Sequence, residues 1–424
     1  MYINVSVRGR GTMKIIIAHP EKQHSYRLAH AINKSNSLAK YITTVYYKAN
    51  NITAFFDRIT KHRYNLSIKR RIPDLNDNKV VQVNEIRGLL LLGIRHTRYK
   101  KIVSTLQNFF FDSFGRKVAK IARKECPAAV VMYDTNSLEC FKALEGSGIL
   151  RIMDTSIANR HYTKCIYQNV INSEEEWNRF SESHVLLNKK EMDRLLDEIH
   201  LTDHFLVPSN FVKDSLLYSG VQESKIHIVP YGVDIDEFYF SPRLPKKDKA
   251  SIELIFVGEC SYRKGINLLL SAVVKYEGQI HLTIIGNYQK SIELYQHYNN
   301  YDNISFLGRK DHEEISQYLN QADVFALPSL SEGMSLAGLE ALASGLPLLC
   351  TKNCGVNDLI IDGYNGWIIE AGSEDAITFA LNNIINCKRL LPEMSINARK
   401  TAEKYSWANY EKRMIDTINM IVGV

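Results

Sequence analysis

Apolar and polar residues follow two rhythms along this chain. Short apolar, β-branched runs recur at 14–19, 41–47, 128–134, 149–155, 204–208 and 226–230, and again at 253–258, 280–286, 304–307, 324–328 and 346–351. Between them the apolar positions recur at helical spacing, which predicts helices over 25–39, 103–125, 174–200 and 210–219. In the second half it predicts helices over 266–276, 312–321, 335–344 and 374–385. Apolar strands separated by helices imply parallel sheets covered on both faces. The rhythm breaks at Pro230-Tyr231-Gly232-Val233-Asp234. A polar stretch with Pro242, Pro245 and Lys246-Lys247-Asp248-Lys249 follows, as in an interdomain linker. The expected architecture is α/β, with two doubly wound domains, 1–231 and 232–404, facing each other across a cleft. Ligands of such sheets bind beyond the carboxyl ends of the strands. Trp407, Tyr410, Met414 and Ile418 are spaced as one helical face, so 405–424 reads as a helix free to pack back on the first domain.

Composition narrows the class. A length of 424 residues predicts about two to three domains. The apolar stretch 86–94, interrupted by Arg87, is too short to span a bilayer. Residues 1–12 carry Arg8 and Arg10 without an apolar core, so they do not read as a signal peptide, and Met13 offers a second natural start. Seven scattered cysteines without a C-x-x-C pair suggest reduced, mostly buried thiols and a cytoplasmic place. Residues 1–231 hold 35 Lys/Arg against 22 Asp/Glu, whereas 232–424 hold 18 against 24. The excess lies in 58–124, with 17 basic and 4 acidic residues. Such a patch suits an anionic partner, lipid headgroups or a diphosphate-linked acceptor above all, and would place the protein peripherally on the inner face of a membrane. A merely solvated basic face is the alternative. No aromatic-basic module supports nucleic acid, and none is expected as a partner.

The residues that carry chemistry gather in the second half. In Glu332-Gly333-Met334-Ser335-Leu336-Ala337-Gly338-Leu339-Glu340, two carboxylates stand eight positions apart at the start of a helix that follows a strand. Helix N-termini attract anions. Carboxylates there would repel a phosphate but accept hydroxyls well. A diphosphate flanked by hydroxyl-rich groups, a nucleotide-sugar, satisfies both conditions. Glu340 would lie roughly 7 Å up the helix, the scale separating a diphosphate from a ribose. Upstream, Gly258-Glu259-Cys260-Ser261-Tyr262-Arg263-Lys264-Gly265 ends a strand with a planar cationic fork and a point charge. Gly286 stands just past another strand, where backbone passes close to a ligand or simply turns.

These segments resemble the donor-binding signature of retaining glycosyltransferases of family-4 type. The E-x7-E pair, Gly355, Asp358 and Gly363-Tyr364-Asn365-Gly366 carry the resemblance, with 256–265, Val207-Pro208-Ser209-Asn210-Phe211-Val212 and Val229-Pro230-Tyr231-Gly232-Val233-Asp234. It is strong from about 203 to 370 and loose before. It implies the glycosyltransferase-B fold of two Rossmann-like domains, and a UDP- or GDP-linked donor with no further cofactor and no metal. Glu332 would bind donor-sugar hydroxyls, and backbone N–H groups from Gly333, Met334, Ser335 and Leu336 would hold the diphosphate. Glu340 would bind the ribose, and Arg263 and Lys264 would neutralise the leaving group beside Gly258 and Gly286. Arg309 would lie near the base. The chain departs from the pattern in Glu259, where an arginine is usual, and in the glycine-free loop His19-Pro20-Glu21-Lys22-Gln23-His24-Ser25. It departs again in Asp154, where a histidine is usual. Asp154 is expected to orient the acceptor hydroxyl or to stabilise positive charge on the sugar; a helix-capping role is the alternative. His19, His24 and His161 are further acceptor-side candidates. The expected reaction moves a hexose-type sugar to an acceptor hydroxyl of a saccharide or lipid-linked acceptor, with retention, in surface polysaccharide or glycolipid assembly. A sugar-nucleotide epimerase or phosphorylase on the same fold, or a non-catalytic binder of anionic polymers, are the competing readings.

Overall fold

The computed structural model describes residues 13–22, 24–63, 65–94, 100–171, 173–242 and 251–423. The linker positions 243–250, the N-terminal 1–12 and part of the basic segment, 95–99, lie outside them. The first domain is built on strands β1 (Ile15–Ala18), β2 (Leu38–Thr43), β3 (Val80–Gln82), β4 (Ala129–Tyr133), β5 (Leu150–Asp154), β6 (His204–Val207) and β7 (Ile226–Ile228). They form one parallel sheet in the order β3-β2-β1-β4-β5-β6-β7. The second domain holds β8 (Ile252–Val257), β9 (Ile280–Ile285), β10 (Ile304–Gly308), β11 (Val324–Leu327), β12 (Leu348–Thr351) and β13 (Gly366–Ile369), parallel in the order β10-β9-β8-β11-β12-β13. Both orders reverse beside the first strand of their sheet, and that switch opens a crevice at the carboxyl ends. The central strands β1, β4 and β11 are buried throughout, because helices cover both faces of each sheet.

Three expectations are corrected. The helix foreseen over 25–39 ends at Lys34, because Asn36 turns left-handed (φ 58°) and Leu38 opens β2. The strand foreseen at 41–47 therefore ends at Thr43, and Val45 and Tyr46 are core residues of the following loop. The single helix foreseen over 174–200 is three pieces: a 3-10 turn Glu174–Arg179, a helix Ser183–Leu186 and a helix Lys189–His200 capped by Asn188. Phe180 between them is extended and stacks on Tyr167 at 4.2 Å, so burial of its ring wins over helix continuity. The short β3 and β13 and the helix Leu391–Glu403 were not foreseen.

The chain crosses between domains twice, and the crossings are stitched together. After β7 it passes into the second domain through 229–238, and Val233 donates to the Tyr405 carbonyl at 2.8 Å and bridges Ser406. A Cβ on Gly232 would meet the Trp407 backbone at 2.6 Å, so only glycine permits that approach. The returning helix Trp407–Val422 lies on the helix Ser25–Lys34 of the first domain, with Arg27 over the Trp407 ring at 4.8 Å and Glu411 3.1 Å from His30. Tyr410, Met414 and Ile418 are its buried face.

Candidate active site

The carboxyl ends of β8, β9 and β11 bring the second domain's motifs together. Gly258 and Gly286 end adjacent strands back to back: a Cβ on Gly286 would lie 1.6 Å from the Gly258 carbonyl, with φ of 152°. Close approach of two backbones, not a plain turn, explains Gly286. Gly265 (φ 68°) is packed equally tightly, its Cβ position 2.0 Å from the Pro328 carbonyl, and Leu330 donates to the Arg263 carbonyl at 2.8 Å. These contacts press the Arg263-Lys264 turn against the segment after β11. Arg263 Nη1 accordingly meets Glu332 Oε1 at 2.9 Å and donates to the Ser331 carbonyl, and Lys264 Nζ pairs with the same carboxylate oxygen. Burial works to raise the Glu332 carboxyl, but Lys264 and then Arg263 outweigh it and hold it below the ordinary carboxylate value.

The loop after Glu332 is fixed by backbone. Glu332 N–H donates to Asn353 O (2.9 Å) and Ser335 N–H to Cys354 O (3.3 Å), while the Ser335 side chain caps the helix Leu336–Ala343 by accepting from Gly338. A Cβ on Gly333 would lie 1.7 Å from the Ser156 carbonyl of the first domain, and one on Gly355 2.0 Å from the Gly333 carbonyl. Of the four N–H groups expected to hold a diphosphate, that of Ser335 is thus engaged within the protein. Those of Gly333, Met334 and Leu336 have no acceptor among the described residues. Glu340 sits in the second turn, partly buried, and its carboxylate has no hydrogen-bond or ion-pair partner among the described residues. Burial raises its pKa, with Glu237 adding to the rise and His312 opposing it. Arg309 is exposed just beyond β10.

The first domain closes over this loop. Ser209 Oγ donates to the Gly333 carbonyl (2.6 Å), Asn210 N–H to Asp358 Oδ2 (2.6 Å) and Tyr231 N–H to Met334 Sδ (3.3 Å). Asp154, at the end of β5 and 1% exposed, binds His24 Nε2 through Oδ2 at 2.9 Å. Burial disfavours the imidazolium of His24, yet the Asp154 charge, the hydrogen bond to it and Asp134 raise the pKa above the ordinary 6.5. Tyr133, Tyr231 and Tyr410 surround this pair, with His24 ring centroids 5.0 Å from Tyr133 and 5.1 Å from Tyr231. Their three buried hydroxyls have no hydrogen-bond partner among the described residues. Asp154 is therefore an ion-pair partner and not a helix cap. His19 accepts the Glu21 N–H at Nδ1 (2.8 Å) and packs edge-on to Tyr133, shaping the loop that carries His24. His161 is not brought into the site: its Nε2 turns to the Met192 carbonyl at 3.3 Å inside the first domain.

Two residues escaped the sequence reading. Glu182 of the first domain meets Arg263 Nε at 2.9 Å. Glu198, buried on the helix Lys189–His200, accepts from Thr135, Ser137 and Leu138 N–H and so fixes the loop after β4; burial pushes its carboxyl up to about 7. Glu198 interrupts an otherwise apolar helical face at Met192 and Ile199, and that was the available signal. Nothing in the sequence marked Glu182.

Two facing parallel-sheet domains with this loop between them define the glycosyltransferase-B architecture, and comparison with known proteins agrees. Residues 238–401, most of the second domain, match the family model described as glycosyl transferases group 1. The chain is 25% identical over 359 residues to the amylovoran biosynthesis glycosyltransferase AmsK of Erwinia amylovora, covering 77% of this chain and 80% of that one. It is 29% identical over 153 residues to the uncharacterized glycosyltransferase MJ1178 of Methanocaldococcus jannaschii, covering 36% of this chain and 44% of the relative. It is 29% identical over 170 residues to the putative colanic acid biosynthesis glycosyltransferase WcaL of Escherichia coli, covering 37% and 41%. The chain thus spans less than half the length of two of these three relatives. Among solved structures, sucrose-phosphate synthase from Thermosynechococcus elongatus superposes with a TM-score of 0.66 at 17% identity, over 97% of this chain and 99% of that one. Anabaena HepE in complex with UDP-glucose superposes with a TM-score of 0.59 at 15% identity, over 96% and 100%. These two likenesses concern the fold.

Proposed function

We propose that the protein is a retaining glycosyltransferase that moves a hexose-type sugar from a UDP- or GDP-linked donor to an acceptor hydroxyl, in the assembly of a surface polysaccharide or glycolipid. One observation carries the reading: Arg263, Lys264 and Glu332 converge on one point, beside the unengaged N–H groups of Gly333, Met334 and Leu336. As the bond from the anomeric carbon to phosphate lengthens, negative charge grows on the leaving diphosphate. Cations and N–H dipoles fixed there before the reaction stabilise that charge more than they stabilise the ground state, so they lower the barrier. Each charge-assisted contact is worth about 1.5–3 kcal/mol. The unpaired Glu340 carboxylate suits ribose hydroxyls, and Glu332 suits sugar hydroxyls once its cations turn to phosphate. In this scheme the acceptor hydroxyl approaches on the sugar face that the diphosphate leaves and gives its proton towards the departing oxygen, with no enzymic nucleophile. Several relatives' names, with UDP-glucose bound in HepE, support a nucleotide-sugar donor and a polysaccharide setting.

The acceptor side favours an anionic lipid surface. Helices Ile52–Ile59 and Glu85–Ile94 follow β2 and β3, at the carboxyl edge of the first sheet. Phe55, Ile59, Ile68, Ile86 and Leu90 are 54–79% exposed there, among Lys61, Arg63, Lys69 and Arg71. A cluster of large exposed apolar side chains set in positive charge matches a bilayer bearing anionic headgroups. Among the described residues no helix is long and apolar enough to cross a membrane, so docking would be peripheral. Thermal stabilisation and hydrolysis across a panel of UDP- and GDP-sugars test the donor reading. Stabilisation and slow hydrolysis by one donor are expected; no response to any of them would remove it. Appearance of an epimer without acceptor would favour the epimerase instead.

A further inference from the structure

The charges around Arg263 balance within the protein itself. Arg263 and Lys264 face Glu332, and Arg263 Nε is also held by Glu182 at 2.9 Å, so two cations meet two carboxylates. The two acids are anchored very differently. Glu332 is tied by its backbone N–H to Asn353 and shared by both cations. Glu182 comes from the first domain, at the start of the one-turn helix Ser183–Leu186, in the connection between β5 and β6. That connection reaches across to the second domain: the Phe180 ring lies 6.2 Å from Tyr262, Arg179 lies over the Tyr262 ring at 5.3 Å, and Trp177, Phe180 and Leu186 cluster with Leu330. The segment therefore lies against the turn that carries Arg263 and Lys264. The buried Tyr167 hydroxyl has no hydrogen-bond partner among the described residues, and its pKa is governed by burial and then by Glu182 and Arg263. A polar group without a partner at this spot is a further place for a ligand oxygen.

We propose that Glu182 is a specificity-determining residue whose carboxylate competes with the donor's diphosphate for Arg263. The inference rests on the donor reading above. A diphosphate diester carries a charge on each phosphate, and at equal distance it attracts the guanidinium more strongly than one carboxylate does. Neutral sugars and singly charged ones gain nothing over Glu182 and leave it in place. The apparent affinity for the donor is the intrinsic affinity scaled by the fraction of molecules in which Arg263 is released. Removing the Glu182 charge therefore tightens binding, whereas loss of a merely structural ion pair would weaken it or leave it unchanged.

Calorimetric titration of UDP and of GDP into the full chain, wild type and E182Q, tests this. E182Q is expected to bind the nucleoside diphosphate that the wild type binds about 5–10-fold more tightly. Equal or weaker binding by folded E182Q overturns the role of Glu182 while leaving the donor reading intact. Binding of neither nucleotide by either protein overturns the donor reading and the Glu182 proposal with it. Amide hydrogen exchange of the wild-type chain gives a second measure that needs no variant. Saturating nucleoside diphosphate is expected to speed exchange across 174–186, and unchanged or slower exchange there overturns the proposal.

Discussion

The two faces of the cleft solve different problems. On the second domain the chemistry is compact: paired glycines, an Arg-Lys turn and one loop of five residues converge through backbone contacts that leave little freedom. On the first domain the chemistry is spread over distant segments. His24 follows β1, Asp134 follows β4, Asp154 ends β5, Tyr231 belongs to the crossing and Tyr410 to the returning helix. Under the proposed reaction, a charged leaving group common to many donors asks for one fixed geometry, whereas acceptors differ and are met by whatever a particular chain assembles. On the proposed reading, the contrast teaches that the charge meeting the leaving group comes from two short motifs of one domain, whereas the acceptor side is assembled from segments scattered along the chain.

Substitutions on the second face should have the larger effect. Lys264→Ala and Glu332→Ala are each expected to lower kcat by about 100- to 1,000-fold with the fold kept, as loss of a preorganised charge partner does. Steady-state rates beside circular dichroism check this, and near-normal rates in both would erase the contrast. Because the Glu332 carboxyl lies below its ordinary value, its contribution to stability is present above that ordinary value. It is lost only as pH falls through the lowered folded value.

On the first face, His24→Ala and Asp154→Asn are expected to lower transfer about 10- to 100-fold while donor binding stays within about twofold. Donor titrations together with transfer assays separate the two, and an equal loss of donor affinity would place the pair with the donor machinery. The His24 pKa is raised, so the ion pair's stabilisation is full below the ordinary 6.5 and fades as pH rises through the higher folded value. The wild-type pH profile should show that upper limb, and Asp154→Asn should move it to lower pH.

The smallest effect is expected at the exposed patch. Phe55→Glu with Ile59→Glu should weaken binding to anionic vesicles about 5- to 10-fold, and raised salt should weaken it for the wild type. Hydrolysis of free donor should not change. Vesicle co-sedimentation reads this, and salt-independent binding would remove the lipid surface from the account.

Legibility in the sequence followed the same divide. Strands β8 to β11 of the second domain were read nearly to the residue because each is an apolar run ended by glycine or proline, and the site's charges fall in two short motifs, Arg263 with Lys264 and Glu332 with Glu340. In the first domain β2 was displaced, since Tyr41 to Tyr47 is apolar beyond the point where the strand ends, and only tertiary burial of Val45 and Tyr46 explains the surplus. The His24–Asp154 pair joins residues 130 positions apart, and Glu182 meets Arg263 from the other domain. Such pairs carry no local periodicity. The basic character of 58–124 was plain in the sequence, but the apolar side chains exposed among those charges became visible only when the helices were folded.

The stitched double crossing at Val233 and Tyr405 has a mechanical consequence. A single tether would let one lobe swivel about the other in any direction. Two strands of chain bonded side by side behave like a door hinge: they favour opening and closing about one line and resist twisting. Each closure would then return the first domain to the same alignment over the second, so register from one closure to the next is built into the covalent path and need not be found afresh by diffusion.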